Sequence, residues 1–201
     1  MSDIKFLETL ASYFELLPGV GKKTAKRYAY HVVEKLSLEE VEEFSKELIK
    51  TKKEVCNCSV CGMLSINNPC GICSNVLRDS SKIMVLKDTK DILSIENMEQ
   101  YNGLYHSLNG LISLMNGISP DKLNIDSLIK RINSNVKEII IATPYTIDGE
   151  TTALYLTNLL KNYNVETSRI STGIPAGGDI EYIDELTLKR AIENRIKNGG
   201  K

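Results

Sequence analysis

Residues 58–73 read CSVCGMLSINNPCGIC and contain two Cys-x-x-Cys pairs separated by eight residues. In each pair, the two intervening residues let both sulfurs turn toward one cation. Four thiolates together form the tetrahedral site that zinc prefers. The expected ligands of one structural zinc per chain are Cys58, Cys61, Cys70 and Cys73. Because four protein ligands leave no position for a reacting water, this zinc is expected to stabilise the fold and to carry out no chemistry.

The same cysteines have two other interpretations, a pair of disulfides and a redox dithiol. Disulfides need an oxidising compartment, and no signal-peptide pattern is seen in the sequence. Redox motifs usually carry one Cys-x-x-Cys pair and not two spaced ones. The fifth cysteine, Cys56, is separated from Cys58 by a single residue and is expected to be a reduced bystander.

The composition is that of an ordinary globular protein. A chain of 201 residues is long enough for one large domain or two small ones. Hydrophobic residues make up 42% of it, and no apolar run approaches the roughly 20 residues of a membrane span. A cytoplasmic protein with no membrane contact is expected. The net charge of -1 hides a local pattern, since residues 22–33 carry four basic side chains and no acidic one.

This basic segment belongs to a predicted helical hairpin. Apolar residues at helical spacing predict one amphipathic helix over residues 4–17 and another that starts near residue 22, with the turn PGVG at residues 18–21 between them. Glycines let backbone N–H groups approach an anion closely, and a helix N-terminus attracts negative charge. The sequence therefore predicts phosphate binding, and a solvated lysine face is the alternative. The candidate phosphate contacts are Gly19, Gly21, Lys22, Lys23, Lys26 and Arg27.

The rest of the chain alternates predicted strands and helices. Strands are expected at residues 82–87, 103–108, 138–142 and 165–170. Helices are expected at residues 89–98, 125–132, 150–160 and 186–196. Strands that alternate with helices predict a mostly parallel sheet covered on both faces. The expected fold class is α/β, with the helical hairpin and a small zinc module preceding this larger domain.

The layout of this larger domain resembles a Toprim domain, the fold of topoisomerase and primase catalytic cores. The resemblance implies a glutamate after the first strand and an Asp-x-Asp pair after a later one, which together hold magnesium. Here Lys87 occupies the glutamate position, and Pro144 and Thr146 occupy the paired positions. An ammonium group donates nothing to a metal. The remaining carboxylates, Asp91, Asp148 and Glu150, are expected to be vestigial, to dock a partner or to start helices.

The order of these motifs, with GIPAGG at residues 173–178 and Thr187-Leu188, resembles the RecR family of bacterial recombination mediators. The hairpin string LPGVGKKTAKR at residues 17–27 resembles its helix-hairpin-helix module. The resemblance implies four segments: a helix-hairpin-helix domain over 1–54, a zinc module over 55–78, a Toprim domain over 79–170 and a C-terminal tail with a helix over 171–201.

The function implied by the resemblance is not enzymatic. It is recombinational DNA repair, in which the protein binds DNA without sequence specificity and works with RecO and RecF to load RecA onto gapped or single-stranded DNA. The family forms ring-shaped clamps, so a tetramer or a dimer is expected. The alternative from another class is a Toprim-type, magnesium-dependent nuclease or phosphoryl-transfer enzyme that uses Asp91, Asp148 and Glu150.

Overall fold

The computed structural model describes residues 5–171 and 173–195. The chain divides into two compact units, of which the first ends at Val55 and the second begins at Cys56. Each unit has its own core, and each is described by itself. Within the described residues, no helix combines the length and the apolar character that crossing a membrane requires.

The first unit is helical. Helix α1 spans Lys5–Phe14, α2 spans Lys22–Lys35 and α3 spans Leu38–Glu54. Helices α1 and α2 pack on each other through buried alanines, Ala11, Ala25 and Ala29, surrounded by larger apolar side chains. The small alanine side chains let the two backbones approach closely. The predicted first helix, residues 4–17, ends earlier than expected, at Phe14, and residue 4 lies outside the described residues.

Helix α3 was not among the predicted helices, although its start has a clear sequence signal. The Ser37 hydroxyl accepts a hydrogen bond from the Glu40 N–H, and the Glu40 carboxylate accepts one from the Ser37 N–H at 2.7 Å. This reciprocal pair is a capping box. None of the α3 residues is buried, and its apolar side chains Leu38, Phe44, Leu48 and Ile49 are all at least half exposed.

The second unit begins with a small module that contains the cysteines. Strands β1, Cys56–Asn57, and β2, Leu64–Ser65, pair antiparallel. A single-turn helix, α4, follows at Gly71–Ser74. Neither the short hairpin nor this helix was predicted from hydrophobic periodicity, because elements of two to four residues are too short to show a period.

A four-stranded sheet forms the centre of the second unit. Its strands are β3, Asp79–Leu86, β4, Gly103–Ser107, β5, Glu138–Ile141, and β6, Glu166–Arg169. They pair in the order β4-β3-β5-β6, and every pair is parallel. The helices that connect or follow the strands are α5, Thr89–Glu96, α6, Ile125–Arg131, α7, Ile147–Leu160, and α8, Glu185–Glu193. The α/β fold predicted from the alternating pattern is confirmed.

The sheet is buried on both faces, and the two faces have different partners. Along β3, Ile83 and Val85 belong to one apolar cluster, while Met84 and Leu86 belong to another. The first cluster includes Leu128 of α6 with Leu156 and Leu160 of α7. The second includes Ile92 of α5 together with Cys58, Cys61 and Cys70. The cysteine module therefore packs as part of the layer that covers one face of the sheet.

Five predicted helix limits in the second unit differ from the observed ones by one to three residues, among them the ends of α5 at Glu96 and of α6 at Arg131. Helix α7 begins at Ile147 and not at residue 150, because the Thr146 hydroxyl caps it by accepting a hydrogen bond from the Gly149 N–H at 3.2 Å. The last predicted helix, residues 186–196, is observed as Glu185–Glu193. Its predicted end at residue 196 lies outside the described residues.

Candidate metal centre and nucleic-acid interface

The four predicted zinc ligands lie together. The sulfur atoms of Cys58, Cys61, Cys70 and Cys73 are all within 4.8 Å of one another. The Cys61 and Cys70 sulfurs are 3.7 Å apart, which matches the spacing of about 3.8 Å that a tetrahedral zinc with Zn–S bonds of about 2.3 Å requires. Three of the four residues are buried. The donor set and its geometry therefore fit a closed tetrathiolate metal site.

Backbone turns place the sulfurs of this site. In the first knuckle, the Gly62 N–H donates to the Cys58 carbonyl at 2.9 Å, and Gly62 has a φ of +78° that favours glycine. A side chain at this position would also collide with Asn124 and with the Ser107 carbonyl. In the second knuckle, the Cys73 N–H donates to the Cys70 sulfur at 3.4 Å. These bonds point the cysteine side chains inward.

The acidities of the cysteines show that the cluster suits a cation. A hydrogen bond from the Cys73 thiol is the main cause that lowers the pKa of Cys61 to about 5. The same bond, followed by burial, raises the pKa of Cys73. Burial raises the pKa of Cys70. Thiols this close cannot all ionise by themselves, because the negative charges repel each other, and a divalent cation removes that penalty.

Cys56 lies outside this cluster. It is exposed on β1, where it pairs with Ser65. Among the described residues, the four-cysteine group is the single set of three or more Cys, His, Asp or Glu side chains placed to share a metal. Cys58 therefore belongs to the cluster and Cys56 does not, and the separate roles predicted for them stay a prediction.

The turn between α1 and α2 has the geometry that its glycines predict. The Val20 N–H donates to the Leu17 carbonyl at 3.1 Å, and Gly19 at the third position of this turn has a φ of +79°. A proline followed by a glycine with positive φ is typical of a type II turn. Gly21 then stands at the N-cap of α2.

The first turn of α2 has unpaired donors and an excess of positive charge. No side chain caps the helix, and no acidic residue lies in its first turn. Its first N–H groups therefore have no partner within the helix, and they carry the positive end of the helix dipole. The basic side chains Lys22, Lys23, Lys26 and Arg27 are all exposed. The glycine turn and these basic residues form one surface, which we call the hairpin surface.

Among the described residues, no set of magnesium ligands gathers at the carboxyl ends of β3 and β5. Lys87 follows β3, and its ammonium group lies 3.7 Å from the Asp88 carboxylate, which caps α5. Asp91 is half-buried in the next turn, where burial and then the Asp88 charge raise its pKa. Asp148 lies in the first turn of α7 and borders a cleft of about 540 Å³. The structure does not bring Asp91, Asp148 and Glu150 together as metal ligands within the described residues.

Glu150 instead has two arginine partners. Its Oε2 accepts a hydrogen bond from Arg169 Nη1 at 2.6 Å, and its Oε1 lies 3.2 Å from Arg190 Nη2. Both guanidinium groups also contact the ring of Tyr145, with centroid distances of 4.2 Å for Arg169 and 4.9 Å for Arg190. We call these four residues the arginine clasp, and sequence reasoning did not predict it. Arg169 ends β6 and Arg190 lies on α8, so no local pattern connects them to Glu150.

Comparisons with known proteins match the domains of this chain. Three family descriptions match the chain: "RecR, helix-hairpin-helix" over residues 7–51, "Toprim domain" over residues 81–171 and "RecR, C-terminal" over residues 173–196. Curated relatives named Recombination protein RecR, from Streptococcus pneumoniae strains CGSP14 and R6, are 48% identical over 189 residues. These residues cover 94% of this chain and 95% of each relative. The relative from strain Hungary19A-6 is 49% identical over the same shares.

Proposed function

Because the chain belongs to the RecR family, we propose that it is a DNA-binding recombination and repair factor without enzymatic activity. The observation that carries this proposal is the hairpin surface, in which uncapped N–H groups and exposed basic side chains lie side by side. Such a surface favours phosphate oxygens, and contacts to phosphates carry no sequence information. Binding to any DNA sequence suits a factor that acts wherever a gap occurs.

In this proposal, the residues that contact DNA are those of the hairpin surface. Lys23 and Arg27 make the main phosphate contacts, and Lys22 and Lys26 support them. Gly19 and Gly21 keep the turn free of side chains, so that the phosphate backbone reaches the N–H groups at the start of α2. Arg27 also lies over the ring of Tyr28, with its Cζ 5.6 Å from the centroid, which limits the positions that its guanidinium group can adopt.

The metal of the four-cysteine site is proposed to be zinc. Four thiolates at tetrahedral spacing are the donor set that zinc takes in closed structural sites. Cys58, Cys61, Cys70 and Cys73 would hold the ion, which would join the knuckle at residues 58–61 to the one at residues 70–73. The module would then keep its packing against β3 and β4, where its buried cysteines share a cluster with Met84 and Tyr105.

The proposed partners are RecO and RecF, with which the protein would help RecA onto gapped or single-stranded DNA in the cytoplasm. The Toprim surface that includes Asp91 and Asp148 is the proposed docking site for RecO. The clasp already engages Glu150, so its carboxylate would stabilise the fold there. Lys87 adds positive charge beside Asp88 at the position where a metal would otherwise bind.

The proposed assembly is a ring-shaped clamp, built from a dimer or a tetramer. Support comes from α3, where Phe44 and Leu48, four residues apart on one face of the helix, are both at least half exposed, as is Leu38. An apolar stripe of this kind is unfavourable in water and is typical of a surface that a further helix covers. A second copy of the chain, with the same stripe, is a suitable partner in a symmetric assembly.

One experiment tests the proposal against its enzymatic alternative. End-labelled gapped DNA is incubated with the purified, zinc-loaded protein and magnesium at low salt, and band retardation and strand integrity are measured together. Retarded, intact DNA supports a non-enzymatic binding factor. Strand breakage that disappears with Asp148→Asn would instead support a magnesium-dependent Toprim nuclease. Intact DNA that is never retarded would overturn unaided binding.

A further inference from the structure

Arg131, the last residue of α6, is a partly buried cation with no carboxylate partner. Its Nη1 donates to the Tyr105 carbonyl at 2.6 Å and lies 3.2 Å from His106 Nδ1. Its Nη2 is buried and has no hydrogen-bond partner among the described residues. No carboxylate of the described part of the chain forms an ion pair with it within 4 Å. A buried positive charge is costly unless another group compensates it.

His106 does not supply that compensation. It is fully buried, and burial lowers its pKa to about 4, so the ring is neutral at physiological pH. A guanidinium group has no acceptor, so Nδ1 must accept the bond from Arg131. Nε2 then carries the proton and donates to the Asn124 carbonyl, 2.6 Å away. The histidine therefore positions the arginine, and the negative charge has to come from elsewhere.

The β4 residues that hold Arg131 lead to the four-cysteine cluster, whose thiolates carry negative charge. The bonds of Arg131 go to Tyr105 and His106, and the next residue, Ser107, donates its N–H to the Cys61 carbonyl at 2.7 Å. Tyr105 also shares an apolar cluster with three of the four cysteines. In agreement with this, burial lowers the pKa of Arg131, and the charges that oppose this shift come from the four cysteines, with Cys73 first.

We propose that Arg131 is a positioning residue of the metal centre, where its charge stabilises the thiolates from outside the ligand shell. This inference rests on the proposed zinc site. Four thiolates outnumber the two positive charges of the ion, so the loaded centre carries excess negative charge in a partly dry environment. A guanidinium group held by β4 offsets this charge without coordinating the metal. Groups that orient or compensate ligands in this way affect metal affinity by about 10–100-fold when they are removed.

The test measures the zinc affinity of the full chain by competition with a chromogenic chelator at pH 7.5. Arg131→Met removes the charge and keeps much of the length of the side chain, and Arg131→Lys keeps the charge. The matched control is Arg78→Met. Arg78 also donates to backbone carbonyls beside β4, Tyr101 and Gly103, but its charge is compensated by the Glu96 carboxylate.

The expected result is a loss of affinity of about 10–100-fold in Arg131→Met, a smaller loss in Arg131→Lys, and wild-type affinity in Arg78→Met. If Arg131→Met does not fold, Arg131→Gln takes its place as the neutral variant. If wild type and the neutral variant bind zinc equally tightly, the proposed role of Arg131 is overturned, while the proposed metal centre stands. An equal loss in Arg78→Met would also overturn that role, because the effect would then be general loosening. Wild-type protein that binds no zinc would overturn the proposed metal centre as well.

Discussion

The Glu150 carboxylate lies between two guanidinium groups, and its Oε1 is 3.2 Å from Arg190 Nη2. Arg169 holds the other oxygen at 2.6 Å. Arg190 belongs to α8, so this pair attaches the C-terminal helix to the first turn of α7. A carboxylate that the enzymatic alternative would need as a magnesium ligand is here part of an internal contact. Engaged by two arginines, this carboxylate is not free to serve as a metal ligand.

Breaking the clasp should loosen α8. In Arg190→Ala, the ion pair between Glu150 and Arg169 remains. Helix α8 loses its ion pair with Glu150 and its contact with the Tyr145 ring. Because solvent still reaches the carboxylate, the expected cost is about 0.5–1 kcal/mol, felt mainly in α8. Limited proteolysis should cut the chain after residue 171 faster than in the wild type. The control is Lys189→Ala, since Lys189 is exposed and its one ion pair among the described residues lies within α8, with Glu193 at 4.0 Å. Equal cleavage rates in all three proteins would contradict the clasp.

The metal site should depend on Cys58 and not on Cys56. Cys58→Ser removes one of four clustered ligands, so zinc should be lost and the free energy of unfolding should fall by more than about 3 kcal/mol. Cys56→Ser changes an exposed thiol outside the cluster and should leave both quantities unchanged. Metal content by atomic absorption and thermal unfolding of the two variants check this. The reverse pattern would show that Cys56 is a ligand.

DNA binding should depend on the hairpin surface. Replacing Lys23 and Arg27 together with Glu should weaken binding to all sequences, and each lost phosphate contact should reduce the slope of log K against log salt by about one. The control is the double variant Lys52→Glu and Lys53→Glu, which makes the same change in net charge at the far end of α3. Fluorescence anisotropy over a salt series measures both. If the control lowers the slope as much, net charge and not the hairpin accounts for binding.

The neutral, buried His106 should make stability depend on pH. Burial lowers its folded pKa to about 4, below the ordinary 6.5, so the unfolded chain takes up a proton first as the pH falls. The contribution of neutral His106 to the free energy of unfolding is complete above about pH 6.5 and is lost as the pH falls toward 4. Between pH 7.5 and 5.5 the loss should be about 1 kcal/mol. Urea unfolding of wild type and of His106→Gln over this range measures it, and identical pH profiles would refute the assignment.

The exposed stripe of α3 should govern self-association. Changing Phe44 and Leu48 to Ser removes apolar surface from a helix that buries none of its residues, so folding of the unit should change little. If a second copy covers the stripe, the mass measured by light scattering should fall toward that of one chain. Changing the exposed residue Leu93 of α5 to Ser is the control. A wild-type protein that is already monomeric at working concentration would contradict the clamp.

Local sequence patterns predicted the cysteine cluster and most of the helices and strands. The cysteine spacing predicted the cluster of four sulfur atoms, because two-residue separations constrain sulfur positions within a single turn. Hydrophobic periodicity predicted the hairpin helices and all four strands of the sheet, since burial on one or both faces imposes a period on the chain. Elements without a period were missed: the short β1 and β2 strands, α4, and α3, whose capping box at Ser37 and Glu40 was the available signal.

Tertiary structure alone decided which distant side chains meet. The clasp joins residues from three elements: Glu150 at the start of α7, Arg169 at the end of β6 and Arg190 on α8. Glu150 meets Arg169 only because β5 and β6 pair in parallel. In the same way, Arg131 reaches the Tyr105 carbonyl only because α6 returns its last residue to β4. Local sequence determines helices, strands and knuckles through short-range geometry. The partners of a buried charge depend on chain folding over tens of residues, and no spacing in the sequence encodes them.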